Sequence, residues 1–84
     1  MREYELTEHA RLVVKRRKID KEWLGRALNH FDRVERDSDD PTLSHYLVKI
    51  FERDNRVLRV VVNDHNEPNK IVTAFFDRNM RGKL

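Results

Sequence analysis

Apolar residues recur along this chain with two different periods, and the change of period divides it. In the N-terminal half they return every three to four positions, the spacing of a helix face. Thr7 offers an N-cap, with Glu8 in the first turn where the helix dipole favours negative charge. The helix predicted from there runs to about Lys18, with Ala10, Val13 and Val14 inward and Leu12 flanking them. Asp20 caps a second helix whose stripe is Trp23, Leu24, Ala27, Leu28 and Phe31, and Ile19 and Leu24 stand at the positions of a hydrophobic staple. Trp23 reads as a core anchor.

From His45 onward the period falls to two. Residues 45–52, 57–63 and 71–76 read as β-strands, rich in β-branched and aromatic side chains. Residues 3–6 form a short alternating edge strand, and a few extended residues fall near Val34. Residues 37–42 are dense in turn formers and read as a mobile loop; Asp54-Asn55 marks a hairpin, and 64–69 a longer connection. The order β-α-α-β-β-β predicts an α+β domain with two helices packed on one face of an antiparallel sheet. The edge strand at 3–6 leaves room for a homodimer or a strand added by a partner.

Composition narrows the chemistry. Eighty-four residues make one domain, 1–84, and with 39% of them charged and 38% hydrophobic the core is lean. Without cysteine there are no disulfides, zinc ribbons or thiol nucleophiles. No apolar run approaches the ~20 residues of a membrane span, and no leader-type apolar segment follows the start. A cytoplasmic protein with no membrane partner is the expectation. Gly25 and Gly82 are the only glycines, so no phosphate-cradling loop can be written. Ser38 and Ser44 lack the surroundings of an activated serine. His9, His30, His45 and His65 show no metal-site spacing, and neither metal nor cofactor is expected.

The net charge of +3 matters less than its distribution. Arg11, Lys15, Arg16, Arg17 and Lys18 form one basic block, and Arg78, Arg81 and Lys83 a second. Glu35, Asp37, Asp39 and Asp40 form an acidic loop between them. If the basic blocks converge, they make a groove; if not, each solvates its own surface. Strand alternation sets Leu58, Val60 and Val62 on one face with Val72, Ala74 and Phe76. The other face takes Val57, Arg59 and Val61 with Ile71, Thr73 and Phe75, and Lys49 lies on the matching face of the first long strand. A cation amid apolar neighbours is costly unless paired or met by an anionic ligand. Arg59 therefore either pairs with Asp77 or Glu52 or waits for a ligand. His9 is the best-placed general acid or base, its titration range suiting neutral pH; a capping or packing role is the plainer reading.

Leu6-Thr-Glu-His-Ala10, Arg17-x-Ile19, the helix with Trp23 and Leu28, and Arg33-Val34 resemble the N-terminal half of a bacterial family. Val57-Leu-Arg-Val-Val-Val-Asn63, Val72-Thr-Ala-Phe-Phe-Asp-Arg78 and Met80-Arg-Gly-Lys-Leu84 extend the likeness over nearly the whole chain. That family is a domain of unknown function in small proteins akin to the RelE, ParE and BrnT toxins. The resemblance implies a RelE-like fold and a toxin encoded beside a small antitoxin. It also implies a metal-independent ribonuclease acting on RNA, or at the ribosome, through a basic sheet cleft. On that reading His9 is the acid or base, and Arg59 and Arg78 stabilise charge on the phosphate. Arg17, Lys49, Arg81 and Lys83 hold the backbone, Thr73 orients a phosphate or Arg59, and Tyr46 and Phe75 offer stacking surfaces. One departure falls at Val13, where relatives commonly carry the arginine of a His-Ala-x-x-Arg pattern; Arg11 or Arg17 is left to supply that charge. A non-catalytic module binding an acidic protein or nucleic acid, and an inactive toxin relative, stand beside the nuclease reading.

Overall fold

The computed structural model describes residues 2–84. Strand β1 (Tyr4–Leu6) leads directly into helix α1 (Glu8–Arg16) and then α2 (Lys21–Asn29). Strands β2 (Arg33–Arg36), β3 (Leu43–Ile50), β4 (Arg56–Asn63) and β5 (Asn69–Phe76) follow, with 3-10 turns at Phe51–Arg53 and Arg78–Met80. The five strands form one sheet in the order β1-β5-β4-β3-β2. The protein is α+β, as the periodicity predicts.

The sheet is mixed, not antiparallel. Strands β2 to β5 form an antiparallel meander, but β1 pairs with β5 in parallel, Tyr4 opposite Asn69 and Leu6 opposite Ile71. The cause is the route of the chain. It leaves β1, passes through both helices to the far edge, and returns strand by strand to lie beside β1 in the same direction. Parallel neighbours need such a long connection. The extended stretch near Val34 is a full edge strand, β2.

Both helices begin where their caps predict. Thr7 accepts a hydrogen bond from the Ala10 N–H at 3.1 Å, and Asp20 accepts one from the Glu22 N–H at 2.9 Å. Helix α1 stops at Arg16, short of Lys18, because Lys18 turns left-handed with φ 55°. The Ile19 N–H then donates to the Val14 carbonyl at 3.0 Å, and the Lys18 N–H to that of Lys15 at 3.2 Å. This is the Schellman arrangement, and the accompanying apolar contact joins Ile19 and Val14, both buried. Helix α2 ends at Asn29, which puts Phe31 outside the stripe. It is 41% exposed, its ring edge-on to Tyr46 at 5.3 Å.

The core lies between the helices and one sheet face. Ala10, Val14, Trp23, Leu24, Ala27 and Leu28 meet Tyr46, Val48, Ile50, Leu58, Val60, Val62 and Ala74. Ile71 joins them, against the expectation from alternation. The register explains this: Thr73 opposes Val61 but Ile71 opposes Val62, so Val72 is the extra residue of a β-bulge. One extra residue reverses the facing of everything before it. Tyr46, too, is core and not a stacking surface, only 3% exposed. Burial raises its phenol pKa, and its hydroxyl lies between Arg2 and Asp64.

Candidate functional site

Two arginine sites lie along β4 and β5. The first is centred on Arg59, on the face that carries no helix. Its Nε donates to Asp77 Oδ2 at 2.8 Å, and its Nη1 to Glu35 Oε1 at 3.2 Å and to His45 Nδ1 at 2.8 Å. Arginine can only donate, so His45 Nδ1 is the acceptor and its Nε2–H donates to Asp37 Oδ1 at 2.7 Å. Asp37 also receives the backbone N–H groups of Asp40 and Asp39. Those bonds, Asp40 first, together with the bond from His45, hold its carboxyl below the usual carboxylate range. The acidic loop is thus tied down by its own turn.

Arg59 and Asp77 side chains are each 13% exposed. Asp77 additionally accepts the Asn79 N–H at 3.0 Å, capping the 3-10 turn that follows β5. Leu47, Val57 and Val61 are buried on the same face. Of the two outcomes open to Arg59 from sequence, the ion pair with Asp77 is realised. Its second carboxylate is Glu35 rather than Glu52. The latter pairs with Arg26 at 2.9 Å, chiefly by a hydrogen bond that lowers its pKa to about 2.

The second group is different in kind. Arg17, Arg53, Arg56 and Arg78 line one depression of about 550 Å³ with Thr73, Phe75 and Phe76. None of the four is in an ion pair among the described residues. The depression wraps the outer edge of β5, which β1 covers only as far as Ile71. Beyond that point the Ala74 carbonyl faces outward and accepts from Arg17 Nη1 at 2.9 Å. Phe76 is clad by cations, with Arg56 4.7 Å and Arg53 5.4 Å from its ring centre and Trp23 edge-on at 6.1 Å. Such cation–π contacts hold a guanidinium without neutralising it. Arg53 Nε is buried with no acceptor among the described residues, which costs on the order of 1–3 kcal/mol. Phe75, on the other face of β5, is half-buried.

The basic blocks of the sequence therefore converge only in part. Arg17 of the first block meets Arg78 of the second, beside Thr73, while Arg81 lines an adjoining depression with Arg78. Arg81 is itself drawn to Asp54 at 2.7 Å across an exposed pair. Lys49 is exposed and lies with Arg81 and Val57 in a separate hollow. Lys83 is exposed, its N–H on the Met80 carbonyl. His9 is exposed in the first turn of α1 and does not line the arginine depression; Arg59 is held by carboxylates instead of facing it. Arg53 and Arg56 escape a reading by strand alternation because they flank the hairpin. The left-handed pair Asp54 (φ 59°) and Asn55 (φ 60°) folds the chain back and sets them on either side of the turn.

Among the described residues no three His, Asp or Glu side chains are grouped to hold a metal ion. No helix there is long and apolar enough to cross a membrane. The profile of one protein family, a domain of unknown function designated DUF4258, matches residues 6–76. The chain belongs to the DUF4258 family. Neither a curated protein nor a solved structure gives a significant match. The matched span of this DUF4258 chain runs from Leu6 to Phe76. It covers the Arg17, Arg53 and Arg56 sides of the depression and stops just before Arg78.

Proposed function

We propose that this DUF4258 protein is an RNA-binding relative of the RelE-type toxins, gripping the RNA backbone at the arginine-lined edge of β5. The observation that carries the reading is the convergence of Arg17, Arg53, Arg56 and Arg78, none of them in an ion pair among the described residues. Four cations drawn together repel one another, and an anionic ligand relieves that repulsion. Guanidinium forks match pairs of phosphate oxygens, and the Phe75 ring that lines the depression suits an unstacked base. A RelE-like relationship, action on RNA or the ribosome in the cytoplasm, and a small antitoxin partner belong to the same proposal.

Metal-independent cleavage is the second reading, and the same cluster of guanidinium groups favours it. They would stabilise the charge that develops on a phosphoryl oxygen as the 2′-hydroxyl attacks. Arg59 is already neutralised, so that role falls to Arg78 and Arg17. His9 would have to approach from α1 to act as base. Backbone binding needs no such approach, and it is the better supported of the two.

Trp23, the only tryptophan, lies 5.8 Å from the Arg53 guanidinium and reports on the site. Its fluorescence should change on adding a short single-stranded oligoribonucleotide. The affinity should fall with salt at a slope near −0.7 per phosphate contact, about −3 for four arginines. Salt-independent binding, or none at low salt, would rule out a phosphate site. Induced expression of the wild type beside His9→Ala and Arg78→Ala separates the two readings. Intact cellular RNA and normal growth with the wild type would eliminate cleavage and leave binding standing.

A further inference from the structure

A second basic surface lies on the opposite side of α1 and shares no residue with the arginine depression. Leu6, Val14 and Ile19 floor a hollow of about 340 Å³, and Arg11, Lys15, Lys18 and Lys21 ring it. None of these four cations is in an ion pair among the described residues. The hollow continues past Leu6, Arg11 and Lys21 onto the outer edge of β1, beside Tyr4 and Glu5. β1 is the terminal strand, paired among the described residues with β5 alone. The Thr7 N–H donates to the Ile71 carbonyl at 3.0 Å, so alternation in a parallel ladder turns the N–H and C=O groups of Tyr4 and Leu6 outward.

We infer that this edge is a docking site for an acidic, extended peptide segment of a partner protein. Two observations choose that occupant. The unpaired backbone groups of β1 fit a strand that adds to the sheet and gains hydrogen bonds without regard to its side chains. The side chains then supply selectivity: an aliphatic residue enters the Leu6–Val14–Ile19 floor, and flanking carboxylates meet the four cations. The floor is aliphatic rather than aromatic and three of the four cations are lysines. Neither feature suits stacked bases or forked phosphate contacts as well as the β5 edge does. Glu5, on the alternate face of β1, repels acidic side chains there and thereby sets which face of the added strand carries charge. This site is independent of the RNA reading, since each surface stands without the other.

The probe is a blocked peptide of sequence Glu-Leu-Asp-Ile-Glu-Leu-Asp titrated into isotope-labelled protein. Amide resonances of Tyr4, Leu6 and Ile19 should shift, while those of Arg53, Arg56 and Arg78 stay in place. Lys15→Glu with Lys21→Glu, both exposed side chains, should weaken binding about tenfold and leave the folded spectrum otherwise intact. The same peptide N-methylated at alternate residues keeps every side chain but loses one row of donors, and it should not bind. No shift with the unmodified peptide overturns the inference, and so does equal binding of the N-methylated form. An oligoribonucleotide that shifts the same resonances more strongly than the peptide would reassign the surface to nucleic acid.

Discussion

Arg59 and Arg56 stand three residues apart on one strand and lead opposite lives. Arg59 sits on the helix-free face with Asp77, Glu35 and His45 around it. Arg56, at the strand's start, lies over the Phe76 ring, is in no ion pair among the described residues, and opens to the depression shared with Arg17, Arg53 and Arg78. Nothing in the identity of the side chain distinguishes them. What differs is whether the fold supplies carboxylates, and that makes one arginine a structural strut and leaves the other available to a ligand. A cation with its partners built in cannot also serve an incoming phosphate without breaking those contacts.

The sharpest way to break this comparison is to truncate both. Arg59→Ala strands Asp77 on a largely covered face, while Glu35 keeps Arg33 at 3.3 Å, and should cost about 3 kcal/mol in urea unfolding. Arg56→Ala should cost under about 1 kcal/mol. Equal losses would show that the two arginines do the same job. Next in size, Arg53→Gln with Arg78→Gln should lower the salt slope of RNA binding by about 1.4, roughly 0.7 for each contact. Lys49→Gln, outside the depression, should leave the slope unchanged.

A third cation is set apart by its backbone rather than by its charge partners. Lys18 holds a left-handed conformation that disfavours side chains, so Lys18→Gly should raise stability by about 1 kcal/mol without altering RNA affinity. A loss of stability instead would mean that the side chain, not the backbone turn, holds the end of α1. The smallest effect concerns the exposed pair Arg26–Glu52. Glu52 titrates near 2 in the folded protein against 4.5 as a free group. Because the folded value is depressed, its contribution is fully present above about pH 4.5 and is lost as pH falls through about 2. Arg26→Gln should flatten that part of the acid-unfolding profile and leave the rest unchanged. An unaltered profile would place the acid sensitivity elsewhere, with Asp37 the next carboxylate to test.

Much of the architecture was legible because it depends on local rules. Thr7 and Asp20 cap their helices by short-range hydrogen bonds, and the stripes of α1 and α2 follow from helical spacing. The three long strands appear close to their predicted bounds because alternation and β-branched content are local signals. The ends failed where a single backbone feature intervened. Lys18 ended α1 early, Asn29 ended α2 before Phe31, and the Val72 bulge moved Ile71 to the helix side. The candidate site was half legible. Arg17, Thr73 and Arg78 could be named, but Arg53 and Arg56 flank a turn and carry no period. His45 was hidden for another reason: its bonds to Arg59 and Asp37 cross from one strand to its neighbour and to the loop beyond.

By itself, then, the sequence determined the elements and the kind of chemistry they could carry: two capped helices, a run of strands, and cations in blocks with neither cysteine nor a glycine loop. Tertiary structure alone decided that β1 pairs with β5 in parallel, which leaves the far half of the β5 edge uncovered. It alone split the first basic block, sending Arg17 to that edge and Arg11, Lys15 and Lys18 to the other side of α1. And it alone paired Arg59 while leaving Arg56 in no ion pair among the described residues. The physical reason is that charge neutralisation and edge exposure depend on distances between residues far apart in the chain, and no local pattern encodes those distances.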